Sequence, residues 1–184
     1  MRTLIVTEFI TVDGVIDSPG GGGHPRAGWT FTAVPFVAEA YEIKGREQVE
    51  AGAMLMGRVS YDEFAPIWPT MAEFAEYNAM PKYVVSNTLT DPEWNNTSVI
   101  HSLDDVARLK ESDGGNIIVH GSATLAQGLA DAGLVDRYHL LVFPLLLGDG
   151  KRLFGGGEAT TNLKVVEQET YSNGMVKLVY DVVR

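Results

Sequence analysis

The sequence predicts an α/β fold: a three-layer α/β/α sandwich on a mixed, mainly parallel sheet. Three observations carry this. Short apolar, β-branched runs alternate with amphipathic helical patterns over most of the 184 residues. Several of those runs end at glycine or at small polar residues and pass straight into the next segment, as strands do in β–α units. The last two runs alternate as an antiparallel hairpin would, which adds an antiparallel end to a sheet of parallel centre strands.

In chain order, Thr3–Thr11 reads as a strand, rich in Ile, Val, Phe and Thr. Ser18-Pro19-Gly20-Gly21-Gly22-Gly23 reads as a flexible loop, because four glycines hold no regular element cheaply. A helix is expected over Phe36–Val49, with Phe36, Val37, Ala40, Tyr41 and Ile43 toward one side. Ala53–Met56 is a strand ending at Gly57, and Arg58–Phe64 starts another helix. Lys82–Val85 and Val99–Ile100 are short strands. Ser102 caps a helix with Asp104 and Asp105 in its first turn. Ile117–His120 is a strand, Ser122 opens a helix through Ala126, Leu129 and Ala132, and Arg137–Phe143 is a further strand. Leu163–Thr170 and Met175–Val182 form the hairpin, turned at Ser172-Asn173-Gly174. No repeat or linker divides the chain, so residues 1–184 are expected to form a single domain.

Composition excludes several classes of function. The formal charge of −10 and the acidic balance of 24 Asp and Glu against 14 Lys and Arg argue against nucleic acid or an anionic membrane surface as partners. There is no cysteine, which removes disulfides, thiolate catalysis and Cys-based metal sites. His24, His101, His120 and His139 match no metal-ligand spacing. No secretory signal is visible, and the longest apolar stretch, Leu140–Leu147, is broken by Pro144 and too short for a bilayer, so a cytoplasmic location is expected.

An acidic protein can still hold a phosphorylated ligand through local amides and placed arginines. Gly121-Ser122 sits where a strand meets a helix, and the first N–H groups of such a helix form an anion site; a serine there is also an ordinary helix cap. Gly57-Arg58 offers close backbone approach and a guanidinium fork, or simply a turn with a surface arginine. Ser60 lies one turn on. Ser86-Asn87-Thr88 offers three short polar side chains, or a turn bonding its own backbone. In a parallel sheet these strand ends share one edge, where ligands bind. Gly-x-Gly-x-x-Gly and the Gly-x-x-x-x-Gly-Lys phosphate loop are both absent, as is a Gly-x-Ser-x-Gly elbow.

Met56-Gly57-Arg58-Val59-Ser60-Tyr61-Asp62-Glu63-Phe64 with Trp68 resembles the Gly-Arg signature of dihydrofolate-reductase-like proteins. Val12-Asp13-Gly14-Val15-Ile16 resembles a segment of the reductase domain from riboflavin biosynthesis. Ile117–Leu125, Gly133–Asp136, Pro144, Leu147–Gly150 and Leu153-Phe154 are similar to the second half of the same group, so the likeness runs from about Leu4 to Val182.

That resemblance implies NADPH as cofactor and hydride transfer to a small pterin-, pyrimidine- or related substrate, with a homodimer as the usual assembly. It places Arg58 and Ser60 at the 2′-phosphate, and Ser86, Asn87 and Thr88 along the adenosine. Gly121, Ser122, Ala123, Thr124 and Leu125 would cradle the pyrophosphate, and Gly57 would belong to the same wall. Asp13, the catalytic candidate, and Gly14 would lie beside the nicotinamide and substrate. Glu39 and Glu42 lie on the helix where dihydrofolate reductases carry a substrate-holding carboxylate, or are solvated helix carboxylates. Trp29, with Phe31, Phe36 and the glycine loop, would form a lid over a planar substrate, or a surface loop backed by core aromatics. The zinc-binding deaminase half of the bifunctional riboflavin enzymes has no counterpart here, so deamination is not expected. The other readings are a non-catalytic nucleotide- or ligand-binding protein on the same fold, and a reductase using a flavin or deazaflavin.

Overall fold

Eight strands form one sheet, ordered β4-β3-β2-β5-β1-β6-β8-β7, in a computed structural model that describes residues 1–155 and 160–184. In chain order the elements are β1 (Leu4–Thr11), α1 (Trp29–Thr32), α2 (Glu42–Glu50), β2 (Ala51–Gly57), α3 (Arg58–Phe64) and α4 (Ala75–Ala79). Then come β3 (Lys82–Val85), β4 (Thr97–Ile100), α5 (Leu103–Glu111), β5 (Asn116–His120), α6 (Ala123–Asp131), β6 (Arg137–Phe143), β7 (Asn162–Thr170) and β8 (Val176–Val183). The six strands from β4 to β6 are mutually parallel, whereas β8 runs antiparallel to both β6 and β7. The fold is the mixed, mainly parallel α/β sheet that the sequence predicts.

Alternation along the strands separates two apolar layers. Leu4, Val6, Leu55, Ile117 and Val119 face α5 and α6, packing with Val106, Ala126 and Leu129. Ile5, Met54, Met56 and Ile118 face the other way, against Tyr61 of α3 and Tyr77 of α4. Farther along that second face, Ile43 of α2 packs with Leu141, Phe143 and Val179. Helices thus cover both faces, as a buried parallel sheet requires.

The expected helix at Phe36–Val49 is shorter. The chain enters extended at Val37 (φ −131°, ψ 111°), makes a 3-10 turn over Ala38–Tyr41, and becomes a regular helix only at Glu42. Phe36 stays outside, stacked on Tyr41 at 5.1 Å. At α5 the expected cap is complete. The Ser102 hydroxyl accepts the Asp105 N–H at 3.2 Å, and the Asp105 carboxylate accepts the Ser102 N–H at 3.0 Å. No described helix is long and apolar enough to cross a membrane.

Candidate active site

The carboxyl ends of β2, β3 and β5 meet at one edge of the sheet. Gly57 ends β2, and its N–H donates to Ser122 Oγ at 2.9 Å; the Ser122 hydroxyl donates to Ser60 Oγ at 2.7 Å. A loop after β5 is thereby tied to the first turn of α3. Ser122 adopts a left-handed conformation (φ 62°, ψ 50°) and its side chain caps nothing in α6. The hydroxyl that would have closed the helix end is turned sideways, and α6 keeps its first amides without a side-chain cap. Gly121 is also left-handed, at φ 60°, and a Cβ there would lie 3.3 Å from Ser60 Oγ. Both left-handed residues fall at the strand-to-helix turn, and at Ser122, unlike the glycine before it, that conformation costs backbone strain.

Arg58 continues this wall. Its Nε donates to Asp62 Oδ1 and Oδ2 at 2.8 and 2.9 Å, and a terminal nitrogen donates to Thr88 Oγ1 at 3.3 Å. The guanidinium is thus aimed from α3 toward the loop after β3. Ser86 is largely spent on its own turn, where Oγ accepts the N–H groups of Thr88 and Leu89 at 3.2 and 3.1 Å. Its carbonyl meets His101 Nδ1 at 2.9 Å, a neighbour that the sequence did not single out. Asn87, Thr88 and Thr124 are exposed, while Ala123 and Leu125 are on the buried side of α6.

A second, buried cluster lies directly behind Gly121. Parallel register sets Thr7 of β1 beside His120 of β5 and His139 of β6, on the α2 side of the sheet. Glu47 of α2 reaches into this row. It accepts from Thr7 Oγ1 at 2.7 Å and pairs with His139 Nδ1 at 2.8 Å. Lys44 donates to Thr7 Oγ1 and lies 3.4 Å from Glu47 Oε2. His120 Nε2 is 2.9 Å from the Tyr77 hydroxyl, with Trp68 edge-on to its ring. Burial alone would raise the Glu47 carboxyl, but Lys44, the His139 hydrogen bond and His120 outweigh it and hold Glu47 at about 2. Burial, then Lys44, pushes His120 down to about 3. The helix therefore does carry an inward carboxylate, and it is Glu47. Glu39 and Glu42 are exposed.

Asp13 is held rather than free. Its carboxylate accepts from Thr11 Oγ1 at 2.5 Å, Leu147 N at 3.2 Å and Gly148 N at 2.7 Å, and these bonds, led by Thr11, bring it down to about 2. Gly14 beside it turns the chain at φ 83°. Trp29 is buried, edge-on to Phe143 at 5.2 Å, with its Nε1 donating to the Asp17 carbonyl at 2.8 Å. Phe31 and Phe36 are exposed. A Cβ on Gly22 would come within 3.2 Å of Glu63 Oε1, so the glycine-rich loop crosses from the end of β1 toward α3. Two surface depressions, of 490 and 320 Å³, lie at the opposite edge of the sheet, around Asn78 and Asn95 and around Arg2 and Asp136.

A family model, the RibD C-terminal domain, matches residues 2–177. The chain belongs to that family. The RibD C-terminal assignment fits the groove, because the strand ends stitched by Ser122 carry the motifs that resemble this reductase group. The chain is 32% identical over 188 residues to the uncharacterized protein YyaP of Bacillus subtilis (strain 168), covering 97% of this chain and 94% of that one. Two solved structures share the fold. A Shewanella sp. PV-4 protein named for riboflavin biosynthesis superposes with a TM-score of 0.80 at 23% identity, over 100% of both chains. A pyrimidine reductase-like protein of Corynebacterium diphtheriae superposes with a TM-score of 0.64 at 14% identity, over 100% of this chain and 92% of that one.

Proposed function

We propose that this RibD C-terminal domain is an NADPH-dependent reductase acting on a small pyrimidine- or pterin-like substrate. The observation that carries the reading is the Gly57–Ser122–Ser60 stitch, which leaves the amino end of α6 without a side-chain cap, while Arg58, next to Gly57, aims its guanidinium at the loop after β3. Uncapped amides at a helix start and a placed arginine are what a dinucleotide's phosphates require. Arg58, Ser60 and Thr88 would take the 2′-phosphate side, with Ser86 and Asn87 toward the adenosine. Gly121, Ser122 and the amides of Ala123, Thr124 and Leu125 would hold the pyrophosphate. The nicotinamide supplies the hydride. The chain's own part is to bind, orient and exclude water.

Substrate would lie on the α2 side, where Lys44 and Glu47 form a charged pair just behind Gly121. A fixed ammonium and carboxylate there suit the amide-like edge of a heterocycle. Asp13 acts by holding the loop at 145–148 against the end of β1, not by moving a proton. A homodimer is part of this reading, supported by the outer strand β7, where Leu163, Val165 and Val166 are exposed.

Titration with NADPH and NADH, followed by intrinsic tryptophan fluorescence, tests the reading. Saturable binding that favours NADPH is expected, followed by NADPH oxidation with a pyrimidine or pterin acceptor. Absence of saturable binding by NADPH would overturn it. Binding without turnover across those acceptors would leave a binding protein in its place, and a visible absorption spectrum in the purified protein would indicate a flavin or deazaflavin enzyme.

A further inference from the structure

Glu8 is 3% exposed and lies in the middle of the sheet, one residue beyond Thr7 on β1. Its register partner on β6 is Leu140, and its same-face neighbours on β1 are Val6 and Ile10. All three belong to the apolar layer under α6, together with Ala123 and Ala126. Because Thr7 pairs with His120, Glu8 lies beside Gly121, and its buried Oε1 has no hydrogen-bond partner among the described residues. A leucine or a glutamine would fill this position without an ionisable group. A buried carboxyl with an unused oxygen is a costly feature for a strand to keep, and such groups collect where ligands bind.

The place it occupies is specific. Gly121 precedes Ser122 and the uncapped start of α6, so Glu8 sits at the inner wall of the anion site. Dehydration of the buried carboxyl, only partly offset by Lys44 and the Gly121 N–H, pushes it up to about 8. It is a neutral acid at neutral pH, with an O–H to donate. The charged groups around it are few. Lys44 and Glu47 of α2 act from across the sheet, His120 and His139 stand on the neighbouring strands, and the first turn of α6 carries no acidic residue.

We propose that Glu8 is a ligand-binding residue of the groove, donating its carboxyl proton in a hydrogen bond to a phosphate oxygen held at the start of α6. The inference rests on the nucleotide reading above. A carboxylate at this position would repel a phosphate, whereas a carboxylic acid binds one, so the site accepts its anion only while Glu8 is neutral. Nucleotide affinity in this protein is then gated by mildly alkaline pH.

The test is the dissociation constant for NADPH between pH 7 and 9.5, with NADH in parallel to set aside the 2′-phosphate. A group that must be protonated and titrates at about 8 weakens wild-type binding by about thirtyfold over that range. Glu8→Gln keeps a donor but cannot ionise. It is expected to bind more weakly than the wild type at pH 7 and with no loss on going to pH 9.5, and Glu8→Leu, which keeps no donor, is expected to bind more weakly still at pH 7 with an equally flat profile. Wild-type binding that stays flat to pH 9.5, or a Glu8→Gln profile that falls in parallel with the wild type, overturns the role of Glu8 and leaves the nucleotide reading standing. If Glu8→Gln fails to fold, the wild-type profile alone decides. No NADPH binding at pH 7 overturns both.

Discussion

Ser122 bridges 62 residues of sequence to donate a 2.7 Å hydrogen bond to Ser60, and the same hydroxyl accepts the Gly57 N–H. One side chain thus joins the ends of β2 and β5 and the start of α3. Replacing it with Ala leaves a buried serine and a backbone N–H without their partner, and should cost about 1–3 kcal/mol. Ser122→Gly loses the same bonds but relieves the left-handed backbone, so it should be the milder change by about 1 kcal/mol. Urea unfolding of the two variants measures the difference, and an equal loss in both would remove strain from the account.

Arg58 tests the proposed preference for NADPH. Losing a charge-assisted contact of about 1.5–3 kcal/mol corresponds to about a tenfold to hundredfold loss of affinity. Arg58→Ala is therefore expected to weaken NADPH by that factor and to leave NADH nearly unchanged. Parallel fluorescence titrations report this, and equal loss for both nucleotides would place Arg58 elsewhere than at the 2′-phosphate.

Glu47 tests the buried cluster. Glu47→Ala strands Lys44 beside Thr7 and His139 without their carboxylate, and breaking a buried pair from one side costs about 3–5 kcal/mol. Glu47→Gln retains an acceptor for Thr7 and should cost clearly less. Both are read by chemical denaturation at pH 7.

His120 and Glu8 give stability opposite slopes in pH. His120 is held neutral in the folded chain, at about 3 against 6.5, so the unfolded chain binds the extra proton. Its contribution is complete above about 6.5 and is lost as pH falls toward 3. Glu8 is raised from 4.5 to about 8, so its contribution is complete below 4.5 and is lost as pH rises through 8. Each group changes stability by at most about 1.4 kcal/mol per pH unit inside its window. Denaturation at pH 5, 6.5 and 8.5 should show Glu8→Gln losing the alkaline decline, and His120→Gln losing part of the acid decline. Unchanged slopes in both variants would refute the assignment.

The strands were legible because β-branched runs such as Leu4–Thr11 and Asn116–His120 end in small polar residues or glycine, a local signal. That the ends of β2, β3 and β5 share one edge followed from the parallel pattern, whereas the order of the strands across the sheet was not legible. The cluster beneath the groove was not legible, because Thr7, His120, His139 and Glu47 meet only through register and helix rotation. A glutamate on a helix of mean polar character reads as solvated until its neighbours are known. Ser122 misled in a different way: its position is that of a helix cap, and only the left-handed backbone turns its hydroxyl away toward Ser60. Trp29 was read from its place after the glycine-rich loop, as a lid or a core aromatic, and Asp13 from motif likeness; their contacts are those of a core aromatic and a loop latch.

β1 and β2 are separated by β5, which pairs with both. The first half of the chain thus leaves a slot that a much later segment has to enter, a long-range closure of the kind that makes folding slow. A nucleotide gripping Gly121 and Ser122 would hold the segment whose withdrawal reopens the sheet. Its influence would then fall on how long the native state survives, and loss of cofactor would shorten that lifetime before it altered any equilibrium contact.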